Sequence, residues 1–103
     1  VEYQAQLNNL IGRLLHDLGR PQESVDYYTR ALQLDNKGEA VFRNLGSAYQ
    51  AIGQAQMAFA SFQQAVQLAP DDGLVYLKLA YFYEEGARKL QVQQIYCNFD
   101  TPV

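Results

Sequence analysis

The chain has few of the residues on which many kinds of functional site depend. Its single cysteine excludes an internal disulfide bond and a zinc site built on cysteines. Lysine stands at three scattered positions and the formal net charge is −3, whereas a nucleic-acid surface needs clustered basic residues. No apolar run reaches the ~18 residues of a membrane span, and residues 1–20 show no signal peptide. We therefore expect no nucleic-acid partner, no membrane in this segment and a reducing, cytoplasmic location.

The side chains that could perform chemistry stand alone or have a structural explanation. His16 is the only histidine and has no recognisable partner for metal binding or catalysis. Cys97 has neither a histidine nor a second cysteine near it in the sequence, which favours a free thiol over a nucleophile. Asp71 and Asp72 fit the cap of a following helix. We predict no catalytic residue, no metal and no cofactor, so the chain is not an enzyme by itself.

The sequence repeats itself at one fixed offset, the distance from Gly12 to Gly46, and apolar residues recur within each unit at helical spacing. Two antiparallel helices approach closely only if small side chains lie at the crossing, and glycine also supplies the left-handed residue that ends a helix. Both roles explain why glycine and alanine recur at this offset. The identities are Gly12 with Gly46, Gly19 with Gly53, Gln22 with Gln56, Ala31 with Ala65, Gln33 with Gln67, and Leu34 with Leu68.

The stretch from Glu39 to Asp72 carries the complete pattern. It reads Phe42-x2-Leu45-Gly46-x2-Tyr49, then Ala58-x3-Phe62, then Ala65 and Pro70. With Phe42 in place of a tryptophan, this resembles one helix–turn–helix unit of the tetratricopeptide repeat (TPR) family. The resemblance implies an all-α fold whose antiparallel helix pairs stack as a right-handed superhelix. The other structural repeat positions are Gly12, Gly19, Tyr28, Ala31, Gly53, Tyr76 and Tyr83.

We predict one TPR domain over residues 1–103, with about two and a half repeats. Repeat 1 covers about 5–38, repeat 2 about 39–72, and a partial, divergent repeat 3 about 73–103. The predicted helices of the first two repeats cover about 3–18, 21–34, 39–52 and 54–68. Because the chain begins with Val1 rather than methionine, we expect it to be a piece of a longer protein.

The third unit loses the pattern after Tyr83. Gly86 comes one residue earlier than the repeat requires, and no small residue stands where Ala58 and Ala65 stand in the second unit. A helix over about 88–97 and a partly extended tail are the two alternatives. Apolar residues should remain exposed at this end or fold back as a cap, namely Val92, Ile95, Tyr96 and Phe99.

The resemblance implies a concave face lined by the first helix of each pair, which in this family commonly receives an extended peptide or a helix of a partner. Arg13, Arg43 and Asn44 should form a basic, polar half of this face, and an apolar strip should follow on the third unit. The predicted partner-binding residues are Asn9, Arg13, Arg43, Asn44, Ser47, Leu74, Leu77, Lys78 and Tyr81.

The function implied is a protein–protein interaction module that acts as an adaptor or scaffold. One alternative is a regulatory or substrate-recruiting arm of a larger enzyme such as a glycosyltransferase. It arises because Asn44, in Asn-Leu-Gly, resembles the asparagines along the groove of O-linked N-acetylglucosamine transferase arms. Another alternative is a homo-oligomer that forms through the C-terminal end.

Overall fold

The computed structural model describes the backbone of residues 2–100 and the side chains of residues 3–93. Within these residues the chain is helical and has no strand, which confirms the all-α prediction. The first four predicted helices agree with the structure to within one residue at each end. The helices are α1 (Glu2–Asp17), α2 (Pro21–Leu34), α3 (Glu39–Ala51), α4 (Ala55–Leu68) and α5 (Gly73–Asp100).

Two glycines make the reversals inside the first two helix pairs. Gly19 and Gly53 follow α1 and α3 with φ of +80° and +83°, in the left-handed region that other residues rarely adopt. Pro21 then occupies the first turn of α2, where its missing N–H breaks no helical hydrogen bond. Local residue chemistry therefore fixes where these helices end and begin.

Each of the two helix pairs crosses where an aromatic ring of the second helix covers a glycine of the first. A Cβ atom on Gly12 would lie 2.6 Å from Cε1 of Tyr28, and one on Gly46 would lie 2.7 Å from Cε1 of Phe62. Both rings are fully buried, and Ala58 beside Phe62 is buried as well. Since there is no room for a side chain at either glycine, the crossing distance depends on them.

The hydrophobic core consists of two clusters, one at each junction between successive units. Tyr28 and Ala31 of the first unit pack against α3, through Val41, Leu45 and Ala48. The second unit packs in the same way against α5, through Ala58, Phe62, Ala65 and Val75. Each new first helix thus lies on the preceding helix pair, as a stacked repeat requires.

The stack of helices is curved. The first helices of successive units contact each other, α1 with α3 and α3 with α5, whereas α2 and α4 make no contact within residues 2–100. The side formed by the first helices is therefore the inner, concave side. The stack is elongated, with extents of 63 × 29 × 18 Å.

Up to Asp100 the third unit forms no helix pair, because α5 continues as one helix from Gly73 to Asp100. In the repeat register, Ala87 stands at the position of Gly19 and Gly53, where the earlier units reverse. Alanine is the strongest helix former and disfavours the left-handed conformation. Gly86 lies inside α5 and has no positive φ. The predicted helix after residue 88 is therefore present, and the extended tail is wrong for the residues up to Asp100.

Because α5 continues without a reversal, residues that the repeat pattern places in the core have different surroundings in the third unit. Tyr76 is 47% and Tyr83 is 58% exposed, because no helix after α5 covers them within residues 2–100. The tail does not fold back as a cap over the described backbone, and Val92 is half exposed. The side chains of the other predicted tail residues, Ile95, Tyr96 and Phe99, lie outside the described residues.

At the other end of the stack, α1 exposes most of its apolar stripe. Only Ile11 and Leu15 of this stripe are half-buried. More than half of each other side chain is exposed, namely Leu7, Leu10, Leu14 and Leu18. No helix within residues 2–100 combines the length and the apolar character that a membrane span needs.

Candidate functional site

A groove of about 540 Å³ lies on the concave side. It opens between the first helices, and each of α1, α3 and α5 contributes to its wall. Three predicted partner-binding residues, Ser47, Lys78 and Tyr81, are therefore brought to one groove although two different helices carry them. The residues that line the groove and bear on its chemistry are His16, Ser47, Gln50, Lys78, Tyr81, Glu85 and Lys89.

The part of the concave side that α5 forms carries an apolar strip. Leu74, Leu77 and Tyr81 follow each other at spacings of three and four residues, so they lie on one face of the helix. They are 52%, 67% and 59% exposed. The buried face of α5 carries Val75 and Leu79 instead, which pack on the second unit. The strip is thus apolar surface that the fold itself does not use.

The part of the concave side that α1 and α3 form is polar, and its side chains make hydrogen bonds within the protein. Asn44 donates a hydrogen bond from Nδ2 to Oδ1 of Asn9 over 3.1 Å, and both side chains are half-buried. Ser47 donates from Oγ to the backbone oxygen of Arg43 over 3.4 Å. Arg13 lies one unit away on α1 and is exposed. The Asn44–Asn9 bond joins α1 to α3, and Arg13 remains an accessible positive charge on α1.

Arg43 lies in an internal ion cluster rather than in an open pair with Arg13. Its Nη1 atom donates to Oε1 of Glu39 over 2.6 Å and to Oδ2 of Asp72 over 2.7 Å. The side chain of Arg43 is only 15% exposed. The carboxyl groups of Glu39 and Asp72 therefore already bind this guanidinium, and the sequence could not reveal it because Asp72 is 29 residues away.

The two carboxyl groups around Arg43 differ in their affinity for a proton. Burial raises the pKa of Glu39, and its hydrogen bond with Asp72 raises it further. The same bond, together with the backbone N–H of Leu74, lowers the pKa of Asp72. Asp72 also caps α5, since its Oδ1 accepts a hydrogen bond from the N–H of Leu74 over 3.0 Å. The cluster thereby fixes the start of α5 against α3.

A second bridge crosses the groove from α3 to α5. Gln50 donates from Nε2 to Oε2 of Glu85 over 2.6 Å. The predicted partner-binding residues include neither Gln50 nor Glu85. The repeat register is the feature that could have found this pair, because Gln50 and Glu85 are 35 residues apart, as are Asn9 and Asn44. Among the described residues, no three His, Cys, Asp or Glu side chains come together as a metal ion would require.

Comparison with known proteins identifies the family. A family model described as tetratricopeptide repeat matches residues 3–71, more than half of the chain. The chain belongs to the tetratricopeptide repeat family. The match covers the two complete TPR helix pairs and ends before α5, where the repeat loses its second helix. TPR units generally mediate protein–protein interaction and are typically non-catalytic. No curated protein matches the sequence.

Proposed function

We propose that this TPR chain is an adaptor or scaffold module that holds a peptide or a helix of another protein on its concave side. Residues 1–103 would act as a single domain whose third unit is reduced to α5. The observation that carries the proposal is the groove of about 540 Å³ between three first helices, next to an apolar strip that the fold leaves exposed. Exposed apolar surface beside polar groups is typical of protein-binding sites.

The apolar strip supplies most of the expected affinity. Leu74, Leu77 and Tyr81 each keep about half or more of their surface in water, so a partner that covers them gains the hydrophobic stabilisation that the free chain lacks. Tyr81 also lines the groove and carries a hydroxyl group, and tyrosine is enriched among the residues that dominate binding energy. We therefore assign Tyr81 the central contact.

The exposed basic side chains determine which charged group of a partner can bind here. Arg13 is exposed on α1 and Lys78 is half exposed on α5, whereas Arg43 is bound by Glu39 and Asp72. Arg13 and Lys78 can therefore offer charge-assisted hydrogen bonds to a carboxylate. The partner segment that fits has an apolar stretch over α5 and an acidic side chain or a C-terminal carboxylate toward Arg13 or Lys78.

The test measures partner binding by paired variants on the two sides of the stack. Tyr81→Ala and Lys78→Glu change the groove, while Met57→Ala and Arg30→Glu make matched changes on α4 and α2. Partners captured from a lysate with the unmodified chain are titrated by calorimetry. The groove variants should weaken binding by more than about 1 kcal/mol each, and the controls should not. Equal losses in both sets, or none in the groove set, would place the site elsewhere.

A second candidate function rests on the bonded pair Asn9 and Asn44. Asparagines aligned along first helices suit a groove that holds peptide backbone, because each amide both donates and accepts hydrogen bonds. In this case the chain is the substrate-recruiting or regulatory arm of a larger enzyme such as a glycosyltransferase. Mass spectrometry of captured partners separates the candidates: an arm would capture proteins that the enzyme glycosylates, an adaptor proteins without that modification.

A further inference from the structure

In the part of the chain that the structure describes, no helix covers the face of α5 that lies away from the concave side. In the first two units, the corresponding face of the first helix is covered by an aromatic ring on Gly12 or Gly46. The equivalent position in the third unit is Ala80, which is exposed, as are the neighbouring residues of the same face. We call this surface the α5 stripe; its residues are Tyr76, Ala80, Tyr83, Ala87 and Leu90.

The α5 stripe follows the pattern of a helix-pairing seam. Its residues are separated by four, three, four and three positions, which keeps them on one narrow face of a helix. Large and small side chains alternate along it, with Ala80 between two tyrosines and Ala87 between Tyr83 and Leu90. Tyr83 and Leu90 are 58% and 63% exposed. Such alternation lets a second helix approach closely and insert large residues over the alanines.

The surface beside the α5 stripe already forms a groove in which a second helix can lie. A mainly apolar groove of about 480 Å³ lies between the α3–α4 turn and the middle of α5. Gly53 and Ala55 form one side, and Tyr83, Ala87 and Leu90 form the other. This is where the second helix of a complete third unit would begin, because Gly53 makes the reversal of the unit before it. A helix placed here would contact two units at once.

We propose that the occupant is α5 of a second copy of this chain, antiparallel to the first. In the antiparallel pair, Tyr83 lies opposite the second copy's Ala87, and Leu90 opposite the second copy's Ala80. Each large residue meets a small one. The arrangement is two-fold symmetric because the two residue numbers in each contact have the same sum, which places both contacts in one antiparallel register. Each copy thereby supplies the second helix that the other copy's third unit lacks. Because the two copies exchange the same element, the dimer is closed and symmetric.

The charges beside the stripe are consistent with this arrangement. Glu84 and Arg88 border the stripe on one side and form an ion pair within α5 at 2.8 Å. In the antiparallel register, Glu84 of one copy lies opposite the second copy's Gly86, two positions from both Glu84 and Arg88 of that copy, so the opposite charge of Arg88 offsets the like charge beside it. The concave groove and the groove beside the stripe share wall residues, namely Gln50, Gly53, Glu85 and Lys89, whereas Ser47, Lys78 and Tyr81 line only the concave groove. A helix on the stripe therefore leaves Lys78 and Tyr81 accessible to a partner.

The mass in solution tests the proposal on the intact chain. Sedimentation over a concentration series should give a dimer of twice 11.7 kDa. Leu90→Glu should weaken dimerisation by about 100-fold or more, because it buries a carboxylate in an apolar seam. Val92→Glu is the matched control on the opposite face of α5 and should dimerise like the unmodified chain. Circular dichroism checks that both variants remain helical, which is expected because both positions are exposed.

Disulfide trapping tests the orientation in a Cys97→Ser background. A mixture of Ala80→Cys and Leu90→Cys chains should oxidise to a mixed dimer, whereas Ala80→Cys chains alone should not, since the two Ala80 positions lie about 15 Å apart along the helices. A monomer at every concentration would overturn the proposal. So would a dimer that survives Leu90→Glu, a larger oligomer formed through α1, or trapping of Ala80→Cys with itself. Loss of partner binding in the groove variants would leave all these readouts unchanged.

Discussion

Asn44 on α3 donates a hydrogen bond to Asn9 on α1, with 3.1 Å between Nδ2 and Oδ1. The bond from Gln50 on α3 to Glu85 on α5 has the same separation in sequence, 35 residues. Two successive steps of the stack are thus joined across the same sequence separation, at two different positions within the repeat. Because α2 and α4 make no corresponding contact within residues 2–100, these polar bridges stabilise the curvature that forms the groove.

The asparagine bridge should contribute measurably to stability. Asn44→Ala removes the donor and leaves a half-buried acceptor on Asn9, so we expect the free energy of unfolding to fall by about 0.5–1.5 kcal/mol. Asn8→Ala is the matched control, since Asn8 bonds only the backbone of Gln4 in its own helix and is less important for packing between units. Urea denaturation measures both. Equal stability of the two variants would mean that the bridge does not hold α1 against α3.

Replacing the glycine at the helix crossing even by alanine should lower the stability of the fold. A Cβ on Gly46 would lie 2.7 Å from Phe62, so Gly46→Ala forces the ring or the helix to move and should cost about 1–3 kcal/mol. Gly86→Ala meets no atom within 4 Å and lies inside α5, so it should stabilise the chain by up to about 1 kcal/mol. Thermal melts of the two variants should therefore shift in opposite directions. Shifts of the same sign would contradict the crossing.

Tyr28 should make the fold sensitive to alkaline pH. Burial raises its pKa from 10.0 to about 12. A group with a raised folded-state pKa stabilises the fold fully below its unfolded pKa, and this stability is lost as the pH rises from about 10 to 12. Tyr28→Phe removes that dependence and should be close to the unmodified chain at pH 7. Unfolding free energies that fall in parallel for both proteins above pH 10 would show that Tyr28 does not titrate in the core.

The parts of the fold that the sequence predicts are those with local causes. Gly19, Gly53 and Pro21 set the helix ends through their own backbone preferences, so the first four helices could be placed within one residue. The fixed offset between the units predicts the stacking order, because equivalent residues make equivalent contacts in each unit. The concave placement of Ser47 and Tyr81 follows from that register, since every unit presents equivalent positions to the same side.

The remaining features depend on contacts that no short stretch of sequence contains. The exposure of Tyr76 and Tyr83 follows from a single alanine, Ala87, at the turn position, which allows α5 to continue. Arg43 is removed from the candidate binding surface by Asp72, which only the stacking of the third unit brings near. The leucine stripe of α1 has helical spacing in the sequence, but periodicity does not say what covers it.

Site-specific photo-crosslinking from inside the groove of α1, α3 and α5 shows whether a bound partner lies there. A photoreactive phenylalanine analogue replaces Tyr81 in the groove, and the same analogue replaces Gln63, which is exposed on α4, as the matched control. After irradiation with the captured partner, position 81 should give a covalent adduct with the partner and position 63 should give none. An adduct at position 63 without one at position 81 would contradict the account.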